Sequence, residues 1–313
     1  MNPRLLELLE TVEELAEAGR VQSARGISDG VLIMELDPEA RALALYDTAV
    51  SSWDYLADGL KARELFDQVF QHYQAHAELK ADARAGKFLA YACENRMLMS
   101  LSYEEYDEWA GELRPLSPDE AILQGQVPVV HEKRNAGMPW SDILQMIACS
   151  YYDRNDPKLD PGMYGRAAGT YQLLLENRRT LRLNREDWSR VLYEYGALME
   201  KLSMVSTRAM EEAGHVYPDE FRFYLDLART RIDEFVQSNQ PNDTITVISN
   251  SVNEMLEMAS QGERGLAPME VPHSASVHAL PDPGRPRLVM SCLTTLIVIG
   301  IFAFVVGKSL GWW

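Results

Sequence analysis

RALALYDTAVSSWDYLADGLKARELFDQVF, residues 41–70, is written as two helical phrases joined by a turn. Tyr46, Ala49, Val50 and Trp53 recur at the three- and four-residue spacing that places side chains on one face of a helix. Ala57-Asp58-Gly59 then interrupts, and Ala62, Phe66 and Val69 resume the same period. Small residues let two antiparallel helices approach, while the rings fill the space left between neighbouring pairs. The stretch predicts a helix pair, and with it an all-α chain.

The same period extends outward in both directions. Asn2 and Pro3 offer a cap and a first-turn proline, and Leu5, Leu8, Val12 and Leu15 form one stripe before Gly19 ends the segment. That stripe is too short for a coiled coil and predicts a helix docked on the rest. Residues 20–34 read as irregular. Helical text resumes near Pro38 and runs with breaks to about Ser260. Ser117 and Glu120, with Pro118 between them, spell a capping box, and Asn184 ahead of Asp187 and Trp188 predicts another helix start. TITVIS, 244–249, is β-branched, but Val252, Met255 and Leu256 continue it at helical spacing, so helix is expected there. No useful alternating strand pattern occurs. A second stretch repeats the first: Leu144, Ile147, Ala148 and Tyr151, then Ala167, Tyr171 and Leu174, separated by the long insertion DRNDPKLDPGMYGR.

In these two stretches the chain resembles the tetratricopeptide repeat, whose template sets W-xx-L-G-xx-Y on a first helix and A-x3-F on a second. The resemblance covers parts of residues 36–180. Val50 and Ala148 stand where the template has glycine, and its closing proline is missing from both copies. It implies stacked helix pairs, with Tyr46, Trp53, Ala62, Phe66, Ala148, Tyr151, Ala167 and Tyr171 at the packing positions. A surface able to hold a helix or an extended peptide would follow. Residues 81–115 and 186–260 read as helix pairs outside the template, so an irregular α-bundle is the alternative architecture.

Toward the C-terminus the texture changes twice. Residues 261–287 carry Pro268, Pro272, Pro281, Pro283 and Pro286 without helical period, which reads as a semi-extended tether. Residues 288–306, LVMSCLTTLIVIGIFAFVV, hold no charge. As a helix they would be about 28 Å long, close to the hydrocarbon thickness of a bilayer, with every backbone polar group satisfied internally. Arg285 and Arg287 precede the stretch, and Lys308, Trp312 and Trp313 follow it, the residue types that anchor spans at headgroup depth. Gly300, Ala303 and Gly307 are small positions on this anchor. The N-terminal sequence is acidic and amphipathic, unlike a secretory or mitochondrial signal. The expectation is a single-pass, tail-anchored protein: a cytosolic helical domain over 1–260, a tether over 261–287, a transmembrane helix over 288–306 and a short far-side tail over 307–313.

With 47 acidic and 30 basic residues the net charge is −17, and the acidic excess lies in residues 1–260. Such a surface repels phosphate backbones, so nucleic acid is not an expected partner. Cys93, Cys149 and Cys292 are too few and scattered for a disulfide framework. No phosphate-cradling loop, nucleophile elbow, HExxH or paired CxxC occurs. His72 and His76 have metal-capable spacing but no third ligand, and read as two helix-surface histidines. His131-Glu132 falls in an irregular stretch, 124–140. Asp153, Asp156 and Asp160, with Pro157, Pro161 and Gly162, read as turn-formers, lacking the glycine and closing glutamate of a calcium loop. Met97, Met99, Met199, Met204 and Met210 read as core filling.

The expected function is binding without catalysis, cofactor or metal: an adaptor whose helical domain recruits a protein partner, basic or helical in the segment it offers, to a membrane face. The layout is similar to that of small tail-anchored, tetratricopeptide-like adaptors of organelle outer membranes. A competing expectation treats the tail as the effector. Ser291 with Thr295, and Ala303 with Gly307, are small-xxx-small pairs that would let spans of a homo-oligomer cluster and perturb the bilayer. A membrane-tethered enzyme with an unrecognised site is a third.

Overall fold

A computed structural model describes residues 3–81, 83–116, 121–152 and 160–262. They hold twelve α-helices and no strand: α1 Pro3–Glu17, α2 Val21–Leu32, α3 Pro38–Asp54, α4 Gly59–Ala75, α5 Ala83–Leu98, α6 Tyr103–Leu113, α7 Ala121–Asn135, α8 Trp140–Ser150, α9 Pro161–Glu176, α10 Arg185–Glu212, α11 Pro218–Ser238 and α12 Asp243–Gly262. A 3-10 turn, Ala77–Ala81, lies between α4 and α5. The chain is all-α. Residues Met1–Ala259 make one compact unit; of the second, Ser260–Trp313, only the end of α12 is described. No described helix is long and apolar enough to cross a membrane. The tether, the 288–306 stretch, Cys292, the Ser117–Glu120 capping box, Asp153, Asp156 and Pro157 lie outside the described residues.

Helix starts follow local chemistry. Asp37 accepts from the Ala40 N–H ahead of Pro38, Asp58 from Lys61 N–H and Asn184 from Asp187 N–H. Asp160 accepts from the N–H groups of Gly162 and Met163, with Pro161 in the first helical position. The insertion is therefore shorter than the sequence suggests: its final residues, 161–166, are the opening turns of α9 rather than turn. Ser102 accepts from Glu105 N–H to start α6. The TITVIS segment is helical, inside α12.

Two segments that read as irregular are helices. Residues 20–34 contain α2, although Gly26 and Gly30 interrupt it and no local side chain caps it. Its cap comes from α11: the buried Glu220 carboxylate accepts from Gln22 N–H at 2.6 Å, Ser23 N–H at 3.2 Å and Ser23 Oγ at 3.0 Å. At the other end the Arg41 guanidinium donates to the carbonyls of Leu32 and Met34. Residues 124–140 are mostly α7, which carries Pro128 in its interior despite the lost N–H. Contacts with α6 hold it: Arg134 pairs with Asp107 at 2.6 Å and Glu104 at 3.1 Å, and His131 Nε2 lies 3.0 Å from Asp107.

The helices pack in chain-adjacent pairs: α1 with α2, α3 with α4, α5 with α6, α8 with α9 and α10 with α11. Two long-range contacts then close a circuit. α9 lies against α3 and α4, and α2 lies against α11. Glycines permit the first. A Cβ on Gly165 would run into the Asp54 carbonyl oxygen, and one on Gly169 would meet Trp53 Cδ1 at 2.8 Å and the Gly59 nitrogen at 3.1 Å. Gly19, with φ +75°, lets the α1–α2 turn sit against the Ser206 carbonyl of α10. α1 docks as expected, Leu5 against Val31, Ala40, Leu43 and Ala44, and Val12 and Ala16 against Ala24.

Candidate functional site

Where α3, α5, α8 and α9 meet, charge and aromatic rings share one half-buried cluster. Its floor is Trp53, fully buried on α3. The indole donates from Nε1 to the Arg166 carbonyl at 3.0 Å, meets Tyr151 edge-on at 5.5 Å between centroids, and meets Phe66 of α4 at 6.5 Å. The Arg166 guanidinium lies 5.1 Å over the same ring. It forms a bidentate pair with Asp54, Nε to Oδ1 at 2.7 Å and Nη2 to Oδ2 at 3.1 Å. Burial pushes the Asp54 carboxyl up while Arg166 pulls it down, and Asp54 in turn holds the Arg166 guanidinium charged against burial.

Around this floor stand Tyr46, Phe88, Tyr91 and Glu94. Phe88, Tyr91 and Glu94 recur every three residues on α5, hence along one face of it. Tyr46 of α3 stacks on Phe88 at 5.3 Å and lies 6.4 Å from Tyr91 and 6.3 Å from Phe66. Tyr91 is 49% exposed and forms the open side. Burial pushes the Glu94 carboxyl up to about 7, against the opposing pull of Arg166. Glu94 has neither a hydrogen bond nor an ion pair among the described residues. The Tyr151 hydroxyl, buried and within electrostatic reach of Glu94 and Arg166, also lacks a hydrogen-bond partner among them. Burial raises both phenols, Tyr46 and Tyr151, so they stay protonated.

Chemically, this cluster offers one uncompensated carboxyl, two phenolic hydroxyls, an arginine already neutralised by Asp54, and an aromatic rim. It can hold a polar or cationic group. Sequence reading reached Tyr46, Trp53, Phe66 and Tyr151 as packing residues but passed over Asp54, Glu94 and Arg166. The signal available was weak: three charges at positions that helical period assigns to an apolar face, separated by up to 112 residues.

The remaining packing residues are interior. Ala62 and Phe66 of α4, Ala148 of α8, and Ala167 and Tyr171 of α9 are all buried, and Tyr46 is half-buried. Tyr171 places its hydroxyl 3.3 Å from Cys149 Sγ, and Cys93 is buried with its thiol pushed up to about 12. Met97, Met99, Met199 and Met210 fill the core, while Met204 is 38% exposed.

His72 and His76 border a groove of about 770 Å³ along α2, α3 and α4. Each has a local partner: His72 Nε2 lies 2.8 Å from the Pro38 carbonyl, and His76 Nδ1 lies 3.3 Å from Glu78. Among the described residues no group of three His, Cys, Asp or Glu side chains could hold a metal ion. A second charged cluster joins α4, α5 and α6. Arg96, 3% exposed, pairs with Asp67 at 2.6 Å and shares Glu105 with Arg63. Burial works against the charge on Glu105, but Arg96, the Leu101 N–H and Arg63 outweigh it and hold the carboxyl below its ordinary range. This network ties three helices together, although Arg96 Nη1 and Arg63 Nε have no hydrogen-bond partner among the described residues.

Comparison with protein-family models finds none that matches the sequence, and comparison with curated proteins finds no significant similarity.

Proposed function

We propose that the chain is a membrane-tethered adaptor: residues 288–306 span the bilayer, residues 261–287 give reach, and the helical unit recruits a protein partner. The observation that carries the binding half is the cluster at the meeting of α3, α5, α8 and α9, where Glu94 and Tyr151 have no hydrogen-bond partner among the described residues. A polar group left unsatisfied in a fold costs stability, and unsatisfied groups on a half-open aromatic rim gain a partner when a ligand arrives. The tethering half rests on the uncharged 288–306 stretch and its basic and aromatic flanks.

On this reading α3–α4 and α8–α9 are two tetratricopeptide-like pairs brought side by side. Support comes from the buried equivalents Ala62 with Ala167 and Phe66 with Tyr171, and from the direct contact of Trp53 with Tyr151. Because α2 meets α11, the recognition surface is the seam between the pairs rather than a long open trough.

The test exchanges Leu288–Val306 for an unrelated apolar helix of equal length in the full chain. An adaptor still floats with membranes and still recruits its partner, because only anchoring is asked of the span. A clustering effector stays in the membrane but loses its effect. Deleting residues 288–313 should move the protein to the soluble fraction; a truncated protein that still pellets and resists carbonate would refute the tether.

A further inference from the structure

We propose that Glu94, with the rings of Tyr46, Phe88 and Tyr91, is a receptor for the ammonium group of a lysine side chain presented by the partner. The proposal rests on the adaptor reading and gives that partner its chemistry.

The geometry favours a compact cation on three counts. First, Phe88, Tyr91 and Glu94 follow one another every three residues along α5, and Tyr46 from α3 closes on the first two rings and lies within electrostatic reach of Glu94. Ring faces carry negative quadrupole potential and attract an ammonium, more so where water is thinned by half-burial. Second, the carboxyl has no ion pair among the described residues. Arg166 pulls on it through space, but both of its contacts with a carboxylate are made to Asp54. Third, the Tyr151 hydroxyl is an unsatisfied buried polar atom in electrostatic reach of the same carboxyl, a ready hydrogen-bond partner for it or for an arriving group. A lysine fits such a site well: its apolar stem crosses the exposed edge of Tyr91 while its head reaches the carboxyl. The acidic balance of the chain favours approach of a basic segment.

Ligand and proton then compete for one carboxyl. The groups within electrostatic reach of Glu94 are Tyr46 from α3, Tyr151 at the end of α8 and Arg166 from α9, the last paired with Asp54; on the opposite side of α5, Arg63, Asp67 and Glu105 engage Arg96. The two phenols do not ionise near neutrality; burial pushes the Asp54 carboxyl up as well, but Asp54 is engaged by Arg166, and Glu94, raised to about 7, is the carboxyl of this set without an ion pair. An ammonium selects the ionised carboxylate, so binding should strengthen as pH rises through about 7.

The experiment titrates full-length protein in detergent micelles at physiological salt with the peptide Ac-Ala-Lys-Ala-NH2, using the norleucine peptide, which lacks only the ammonium, as the uncharged control. Binding is read by saturation-transfer NMR at pH 5.5 and pH 8. The lysine peptide should bind roughly thirtyfold more tightly at pH 8, the ratio of ionised carboxyl between the two pH values for a group that titrates at about 7. Glu94→Gln should abolish that pH dependence and weaken binding at pH 8 about tenfold. Tyr91→Ala should weaken it severalfold, and Tyr91→Phe, which keeps the ring, should restore it. Circular-dichroism melting of each variant identifies any that fails to fold; for the Glu94 variant, Glu94→Asp then serves as a second probe, its shorter reach also weakening binding. Equal affinity for the norleucine peptide, or unchanged lysine binding in a folded Glu94→Gln protein, overturns the site. If the site fails while the full chain still recruits its partner to membranes, the adaptor reading survives alone. If the peptide binds as described but nothing is recruited, the site stands and the adaptor reading falls.

Discussion

At the scale of single residues, the most consequential fact is that one carboxyl is held without a partner. Glu94 titrates ordinarily at 4.5 when solvated and is pushed up to about 7 by burial. Its folded form therefore prefers the neutral acid. The stability it contributes is fully present below 4.5, where folded and unfolded chains are both protonated, and is lost as pH rises to about 7, because the unfolded chain ionises first. Glu200, also raised to about 7 by burial with Ser251 pulling it down, acts in the same window from α10. Glu94→Gln should consequently leave the melting temperature unchanged near pH 4 and raise it at pH 8, measured by thermal unfolding across that range. A variant less stable than wild type at pH 8 would mean that Glu94 has a partner in the folded protein.

Elements show how far helix formation depends on distant chemistry. α3, α4, α9 and α10 carry their own caps, Asp37, Asp58, Asp160 and Asn184, each within three residues of the N–H it satisfies. The start at Asn184 and the helix beginning near Pro38 were legible in the sequence because the whole interaction is local; Asp160 reads as a turn-former although its capping is equally local. The start of α2 was not legible, since its capping carboxylate stands 198 residues away from Gln22. Removing it tests the account directly. Glu220→Ala leaves two N–H groups and a hydroxyl short of an acceptor in a part-buried place and should cost about 1–3 kcal/mol. Glu220→Gln, which keeps one carbonyl acceptor, should cost less. Urea unfolding would measure both, and hydrogen exchange should show the loss concentrated in α2. α7 escaped notice for a different reason: Pro128 signals a break, while the burial of Val130 and the contacts of Arg134 and His131 with α6 are tertiary and leave no local mark.

Across the whole molecule, the decisive contact is the seating of α9 on α3 and α4, which closes the helical unit and creates the Trp53–Tyr151–Arg166 cluster. It depends on Gly165, where any side chain would collide with the fixed backbone carbonyl of Asp54 rather than with a movable side chain. Gly165→Ala should therefore destabilise by about 3 kcal/mol, at the upper end of overpacking costs, and should weaken the Arg166–Asp54 pair; Gly162→Ala, one turn nearer the start of α9, meets only side-chain atoms and should cost much less. Comparable midpoints in denaturant for the two variants would count against this seam. By itself the sequence determined the helical class, the helix starts near Pro38 and at Asn184, and the interior places of Trp53, Ala62, Phe66, Ala148, Tyr151, Ala167 and Tyr171, because periodicity and capping act within a few residues. Only the tertiary structure decided that α9 returns to α3, that Glu220 reaches α2, and that Glu94 is left without an ion pair among the described residues. The first two depend on close approach between segments more than a hundred residues apart, where backbone fit and burial govern the energy and local spacing carries no trace of it.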